Sequence, residues 1–577
     1  MYLRVTQHRR KDGRVARYVQ LAESERNERG STVARVIHHF GREDELDLAM
    51  LRRLVASIER FLGSETAGSP GAGAASGGEG SEFEFVSSRE LGGPHVVAAL
   101  WAELGVAKTL ARLARRSRVH SDVERAILVM VAQRCLEPGS KLAATRWLAD
   151  AVHVDGIAEV SDDQLYRAMD FLLAHHEAVQ QAVFSSVAHL LNLEVDVVFF
   201  DTTSTSFEVD EPDSADDDPD GSDDEVVADN AAAIVEGDEA PARGGFRRYG
   251  HSKDHRPDLP QVVIGLAVTR EGIPVRCWVW PANTADCSVI GEVKRDLQSW
   301  QLGRVVVVAD AGFSSRENLR TLRRGGGHSI CGIRMRSGVA DVEVALARPG
   351  RYQTVADNLR VKDVLVGDGN ARRRYIICHN PQEAALTKTR RDEAIERLTG
   401  ELAELKTLTG EPHHKQECRL VAHPSLGRYL TQTATGRLAI DHGRIRSEER
   451  LDGKYLLETS DLQMPAADVA TSYKNLQQAE RSFRDTKGQL LLRPVYHRLE
   501  ERIRSHVLLC FLALLIIRVA ETRTEQTWRQ IRPILGRLHV GRFQTKDLAF
   551  NQRTTLDAEQ QSLLRRLNVG EPERIIL

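Results

Sequence analysis

The sequence predicts a multidomain α/β protein. A mixed α/β core is interrupted by a mostly β segment, preceded by a small α+β unit and a helical domain, and followed by C-terminal helices. Three observations predict this. Apolar residues recur at helical spacing across 90–193, as in Ala126-Ile127-Met130-Val131 and Phe171-Leu172-Val179-Val183. From residue 195 the pattern switches to short β-rich runs alternating with helical ones. The chain's 577 residues exceed what one hydrophobic core organises, so about three to five folded units are expected.

In chain order, residues 1–62 read as the small α+β unit, with strands at 17–21 and 32–39 and a helix at 44–62. Residues 63–81 are only Gly, Ser, Ala, Glu, Thr and Pro, so 63–88 reads as a flexible linker. The helical domain spans 89–193. The first part of the core, 194–336, carries strands at 195–200, 261–268, 273–280, 304–309 and 329–335 and helices at 286–300 and 315–324. Residues 337–470 read as a β-rich insertion: strands at 359–366, 373–378, 429–433 and 454–458 surround a polar helix at 382–408. Helical spacing returns over 471–522, which completes the core. The stretch 523–577 is expected to be a helical tail that pairs protomers.

Composition excludes several classes. The longest apolar run, 507–517, falls short of the roughly 20 residues that cross a bilayer. Residues 1–10 are polar and basic, without an apolar secretory segment. The 7 cysteines never form C-x-x-C, so neither a disulfide framework nor a zinc ribbon is expected. These features predict a cytoplasmic protein with no membrane partner.

The net charge of -3 conceals an uneven distribution. Residues 208–239 hold 15 acidic side chains and no lysine or arginine; outside them, 67 acidic residues face 79 basic ones. The surplus points to a polyanionic partner. Lys108, Arg112, Arg115, Arg116 and Arg118 concentrate it in the helical domain. The acidic stretch 208–240 has too few large apolar residues to offset the entropy of ordering, and disorder is expected there.

Chemistry is expected where carboxylates meet strands. Asp201 follows the run 195–200 and Asp310 follows Arg304-Val305-Val306-Val307-Val308-Ala309. Ligand sites gather at the carboxyl ends of such strands. A carboxylate behind buried apolar residues needs a hydrogen-bond donor or a metal; each aspartate alone would serve equally well as a helix cap. A third carboxylate stands on the predicted helix around 472–487. At about 100° per residue, Leu476, Glu480, Arg484 and Lys487 fall within about 60° of Tyr473, whereas Asp485 falls about 120° away.

Asp201, Asp310 and Glu480 resemble the DDE triad of bacterial insertion-sequence transposases, whose catalytic core has a ribonuclease-H-like fold. Tyr473, Glu480 and Lys487 are similar in spacing to the Tyr-(2)-Arg-(3)-Glu-(6)-Lys signature of the insertion-sequence-four superfamily, with Leu476 at the arginine position. The segment Tyr249-Gly250-His251-Ser252-Lys253-Asp254 and the residues after it resemble that superfamily's approach to its second core strand, and 337–470 resembles its inserted β domain.

The resemblance implies metal-dependent cleavage of DNA at insertion-sequence ends, followed by attack of the freed 3′-OH on target DNA. It implies two Mg²⁺ ions, with Mn²⁺ as a substitute, held by Asp201, Asp310 and Glu480. Carboxylates suit such hard cations. It further implies DNA contacts by Tyr473, Arg484, Lys487 and Lys253, with Arg112, Arg115 and Arg116 on the helical domain. The partners it implies are double-stranded DNA (element ends with terminal inverted repeats, and target) and a second copy of the chain in a synaptic complex.

Overall fold

The computed structural model describes residues 2–9, 15–26, 32–42 and 84–576, apart from 120–121, 191–196, 210, 214–244, 251, 285, 300–305, 336–338, 370–371 and 545–548. The helix expected at 44–62 and most of the acidic stretch lie outside the described residues. The chain divides into two units, Met1–Gly80 and Ser81–Leu577.

The first unit contains an antiparallel sheet in the order β1 (Tyr2–Arg9), β2 (Val15–Arg26), β3 (Thr32–Arg42). The strands expected at 17–21 and 32–39 fall within β2 and β3. β1 occupies the basic N-terminal stretch, where no strand was expected.

The second unit opens with β4 (Glu84–Glu90), which overlaps the end of the stretch expected to be linker, 63–88. Six helices follow: α1 (Gly92–Glu103), α2 (Val106–Arg116), α3 (Val123–Leu136), α4 (Lys141–Asp150), α5 (Asp162–Ala174) and α6 (His176–Leu190). Helix α3 is buried from Ala126 to Leu136, which marks it as the centre of the helical domain. Helix α2 has one apolar face: Val106, Leu110 and Leu113 are buried, while Arg112, Arg115 and Arg116 are exposed.

The core sheet then assembles from β5 (Val197–Ser206), β6 (Gln261–Val268), β7 (Pro274–Pro281), β8 (Val306–Ala309) and β9 (His328–Ile333), with α7 (Asp286–Ser299) and α8 (Arg316–Arg323) between strands. The five strands lie in the order β7-β6-β5-β8-β9. β5, β8 and β9 are parallel, and β6 is antiparallel to both its neighbours. Numbered by chain order this is 3-2-1-4-5, which fits a ribonuclease-H-like core. Buried Val and Ile on both faces suit a central sheet covered by helices.

The expected insertion continues this sheet. After α9 (Ala340–Ala347) come β10 (Gln353–Ala356), β11 (Leu359–Val366) and β12 (Arg373–His379), then a helical pair, α10 (Pro381–Leu405) and α11 (Glu411–Ala422). A small hairpin, β13 (Leu430–Gln432) with β14 (Leu438–Ile440), leads through α12 (His442–Glu449) to β15 (Lys454–Thr459). β15 pairs with β9, so the sheet has nine strands ending β9-β15-β12-β11-β10. The polar helix expected at 382–408 has an apolar seam of its own: Leu398 and Leu405 pack with Leu420, Leu426, Tyr429 and Ile445 in a separate small core.

Helix α13 (Ala466–Lys474) is followed by a turn at Asn475-Leu476 and then α14 (Gln477–Gly488). The single helix expected over this stretch is therefore two. Helix α15 (Glu500–Thr524) is long and apolar enough to cross a membrane by length and composition, yet 94% of its most apolar window is buried inside the protein. It packs against α3, α5 and β7. Each large aliphatic side chain buried in this way contributes about 1.5–3 kcal/mol. His497 precedes this helix, and its ring lies 5.4 Å from that of His506 between centroids.

The C-terminal stretch is mixed rather than helical. After α16 (Trp528–Leu535), strands β16 (His539–Gln544) and β17 (Ala549–Arg553), helix α17 (Ala558–Leu567) and β18 (Ile575–Ile576) complete the chain. The strands form a sheet in the order β18-β17-β16-β4, which ties the tail to the start of this unit.

Candidate active site

Asp201 does not end its strand. β5 runs on through Thr202-Thr203-Ser204-Thr205-Ser206, and these hydroxyl residues are largely buried. Their polar atoms receive the segment before β6: Lys253 donates its backbone N–H to Ser204 Oγ at 2.8 Å, and its Nζ to Thr202 O at 2.6 Å and Thr202 Oγ1 at 2.7 Å. The same Nζ lies 3.5 Å from Asp201 Oδ1.

Register sets the pair of aspartates. Phe200 on β5 is the partner of Ala309 on the parallel strand β8, so Asp201 and Asp310 leave neighbouring strands one step beyond matched residues. β8 stops there, which leaves Asp310 exposed, while Asp201, held within its longer strand, is 17% exposed at its side chain. Glu480 approaches from the first turn of α14. Burial pushes the Asp201 carboxyl up to about 6; the charges of Asp310 and Glu480 add to the rise, and Lys253 and the Thr202 N–H oppose it.

Tyr473 donates its hydroxyl to Asp310 Oδ1 at 2.9 Å. Burial, and then the Asp310 charge, raise its pKa, so it stays a donor. The ring lies across β9 at Gly332, where a β-carbon would meet the tyrosine oxygen at 2.3 Å. Glycine is needed there to seat Tyr473, a positioning residue for Asp310. Tyr473→Phe should lower cleavage on the order of ten-fold by freeing Asp310, and Gly332→Ala should do at least as much from the other side. Single-turnover cleavage with melting as a control checks both; unchanged rates would remove Tyr473 from this role.

Asp310, Glu480 and Tyr473 line a cleft of about 280 Å³ with Asn358, Asn380, Tyr455, Lys474 and Leu476. Leu476, at the signature's arginine position, is 7% exposed and belongs to the main apolar core. Lys487 is partly buried and pairs with Asp254 at 2.7 Å, and Arg493 shares that carboxylate at 2.8 Å. Burial lowers the Lys487 pKa, against the pull of Asp254. Arg484 is exposed, without an ion pair among the described residues. Arg112, Arg115 and Arg116 do not line the cleft. Asp485 pairs with buried Arg518 at 2.6 Å and plays a structural part.

Sequence reasoning missed Asp254, Gly332, Asn358 and Asn380. Asp254 sits beside Lys253 in a segment already singled out, but its partners lie more than 230 residues away by numbering, and no local signal marks them.

Among the described residues no three acidic, histidine or cysteine side chains are gathered as a ready-made metal site. The chemistry of the donors nevertheless fits a divalent ion: burial raises the Asp201 pKa and the charges of Asp310 and Glu480 add to the rise, an unneutralised charge that a cation would relieve.

A sheet of this order, offering two aspartates from adjacent parallel strands and a glutamate from a later helix, fits the ribonuclease-H-like polynucleotidyl transferases. Family comparison narrows the class. The IS1634 family transposase N-terminal domain matches residues 3–69, and the transposase DDE domain matches residues 205–516, more than half of the chain. The chain belongs to the DDE transposases of insertion sequences and is a DNA transposase, of a class that depends on divalent metal. Asp310 and Glu480 lie within the matched range, and Asp201 just before it. No curated protein matches. A piggyBac transposase synaptic complex with hairpin DNA is similar at 8% identity and TM-score 0.32, over 76% of each chain.

Proposed function

We propose that this transposase works by cut and paste: it cleaves DNA at both ends of its element and joins the freed 3′-OH ends to target DNA. The observation that carries this reading is the adjacent placement of Asp201 and Asp310 by the β5–β8 register, with Glu480 on the same cleft as Asp310. The three carboxylates would hold two Mg²⁺ ions, or Mn²⁺ in their place. Such ions, when bound, activate the attacking oxygen and stabilise the leaving one.

The protein's own groups do the rest. Tyr473 fixes Asp310, and Lys253 balances Asp201 until metal arrives. Lys487, Arg493 and Arg484 offer cations to DNA phosphates, the first two by exchanging Asp254 for a phosphate oxygen. The N-terminal sheet and the arginines of α2 would grip element ends bearing terminal inverted repeats, in a synaptic homodimer acting in the cytoplasm on the bacterial nucleoid.

A plasmid carrying the gene with its flanking DNA tests the reading. Incubated with the protein and Mg²⁺, it should release the element and yield products joined to a second plasmid. Cleavage without any joining would favour a stand-alone nuclease, and no cleavage in Mg²⁺ or Mn²⁺ would sink the reading.

A further inference from the structure

Four basic side chains meet beneath residues 489–499, the connection from α14 to α15. Arg134 of α3, itself buried, reaches both sides of this place. It donates to the carbonyls of Leu490 and Leu491 at 3.2 Å each, and to that of Gly139, just before α4, at 3.0 Å. Lys141, the first residue of α4, is 6% exposed, yet its ammonium has no hydrogen bond or ion pair among the described residues. His506 of α15 is 4% exposed. Its Nε2 faces the Leu492 carbonyl at 3.1 Å, and its Nδ1 is buried without a hydrogen-bond partner. His497 stands half-buried in the connection, its ring 5.4 Å from that of His506.

The cluster lacks a counter-charge. Lys141 and Arg134 act on both imidazole rings, and the other charge felt by His497 is Arg502, which Asp170 already balances at 2.9 Å. Cys510 places its sulfur 4.0 Å from His506 Nε2, and burial keeps Cys510 and Cys135 as neutral thiols. No carboxylate among the described residues pairs with Lys141 or Arg134. Burial, with Arg134 beside it, lowers the Lys141 pKa to about 7, and burial lowers those of both rings. A buried cation without a partner is costly, and an anion removes that cost. Because Nε2 of His506 donates to a carbonyl, the neutral ring keeps its lone pair on Nδ1. Beside Lys141 and Arg134 a metal ion would be repelled there, whereas a proton arriving with an anion would not.

We propose that Lys141, His497 and His506 bind a small inorganic anion between the start of α4 and the 489–499 connection, with Arg134 adding its charge. The first turn of α4 contributes the positive end of a helix to the same place. Lys141 and His506 are too deeply buried for a DNA backbone to reach them, and the half-buried His497 marks the way in. Binding draws a proton onto a ring or onto Lys141, so affinity rises as pH falls. A bound anion would turn mutual repulsion into cohesion, fastening to the helical domain the connection whose Arg493 meets Asp254.

Sulfate, which stays a dianion between about pH 6 and 8, is the probe, exchanged for bulky gluconate at constant ionic strength. The full-length wild type should melt about 2–4 °C higher in sulfate, with a rise that saturates and is larger near pH 6 than near pH 8. Exclusion of sulfate from the surface raises every variant alike and does not saturate. Lys141→Met, similar in length but uncharged, should melt above wild type in gluconate and lose the saturable rise. His497→Ala should weaken sulfate at least about five-fold, and Arg498→Ala, exposed next door, should not. If Lys141→Met keeps the saturable rise, sulfate is an adventitious ion only and the proposal fails. It fails also if the wild type shows no saturable rise, or a larger one at the higher pH. Lys141→Met less stable than wild type in gluconate would show that the ammonium is satisfied within the protein, and would overturn the site.

Discussion

Asp201→Ala, Asp310→Ala and Glu480→Ala should each reduce strand cleavage and joining by at least about a thousand-fold, while binding to DNA stays within a few-fold of wild type. Each change removes one carboxylate from a set that works as a unit, so any double variant should be scarcely worse than a single one. The three have different surroundings, which helps interpretation. Asp310 and Glu480 are exposed, and their removal should leave melting nearly unchanged. Asp485, on the same helix as Glu480, balances buried Arg518, and stripping one partner from such a pair destabilises the fold. Asp468 is exposed on α13, and Asp468→Ala should remain active. Near wild-type cleavage in Mg²⁺ by any of the three variants would show that the carboxylate concerned is not a metal ligand.

Much of this site was legible because its signals are local. A run of buried valines ended by Asp310 marks a central strand and its carboxyl end. The spacing of Tyr473, Glu480 and Lys487 survives the unforeseen turn at Asn475-Leu476, because both residues keep right-handed helical backbone and only tighten the path. What stayed hidden is non-local pairing. β15 joins β9, and β4 joins β16, through backbone hydrogen bonds that leave no trace in composition; so the expected insertion is part of the core sheet, and the expected linker ends in a strand. Charge partners were hidden for the same reason. Lys487 reads as a free cation on a helical stripe, yet in the fold Asp254 holds it. The DNA contact proposed for Lys487 would therefore require a phosphate to displace Asp254, and would be selective for a correctly seated backbone.

Asp201→Asn should make the metal-free protein more stable while abolishing its activity. A carboxyl raised from 3.8 to about 6 is harder to ionise in the fold than in the unfolded chain, by roughly 3 kcal/mol. Burial is the main cause, and Asp310 and Glu480 add to it, so the strain belongs to the unneutralised site. The sign follows from protonation. Below about pH 4 the carboxyl carries its proton in both states, and wild type and variant should melt alike. Between about 4 and 6 the folded wild type keeps a proton that the unfolded chain releases; above about 6 it bears the full penalty. Denaturation in chelator at pH 8 should then favour Asp201→Asn by roughly 1–3 kcal/mol, less than the whole penalty because the amide gives up the attraction to Lys253. Adding Mn²⁺ should reverse the order, since an ion that binds only the folded wild type stabilises it by mass action. A variant less stable than wild type at pH 8, or a difference that persists undiminished at pH 4, would show that the ionised Asp201 carboxyl carries no such penalty in the fold.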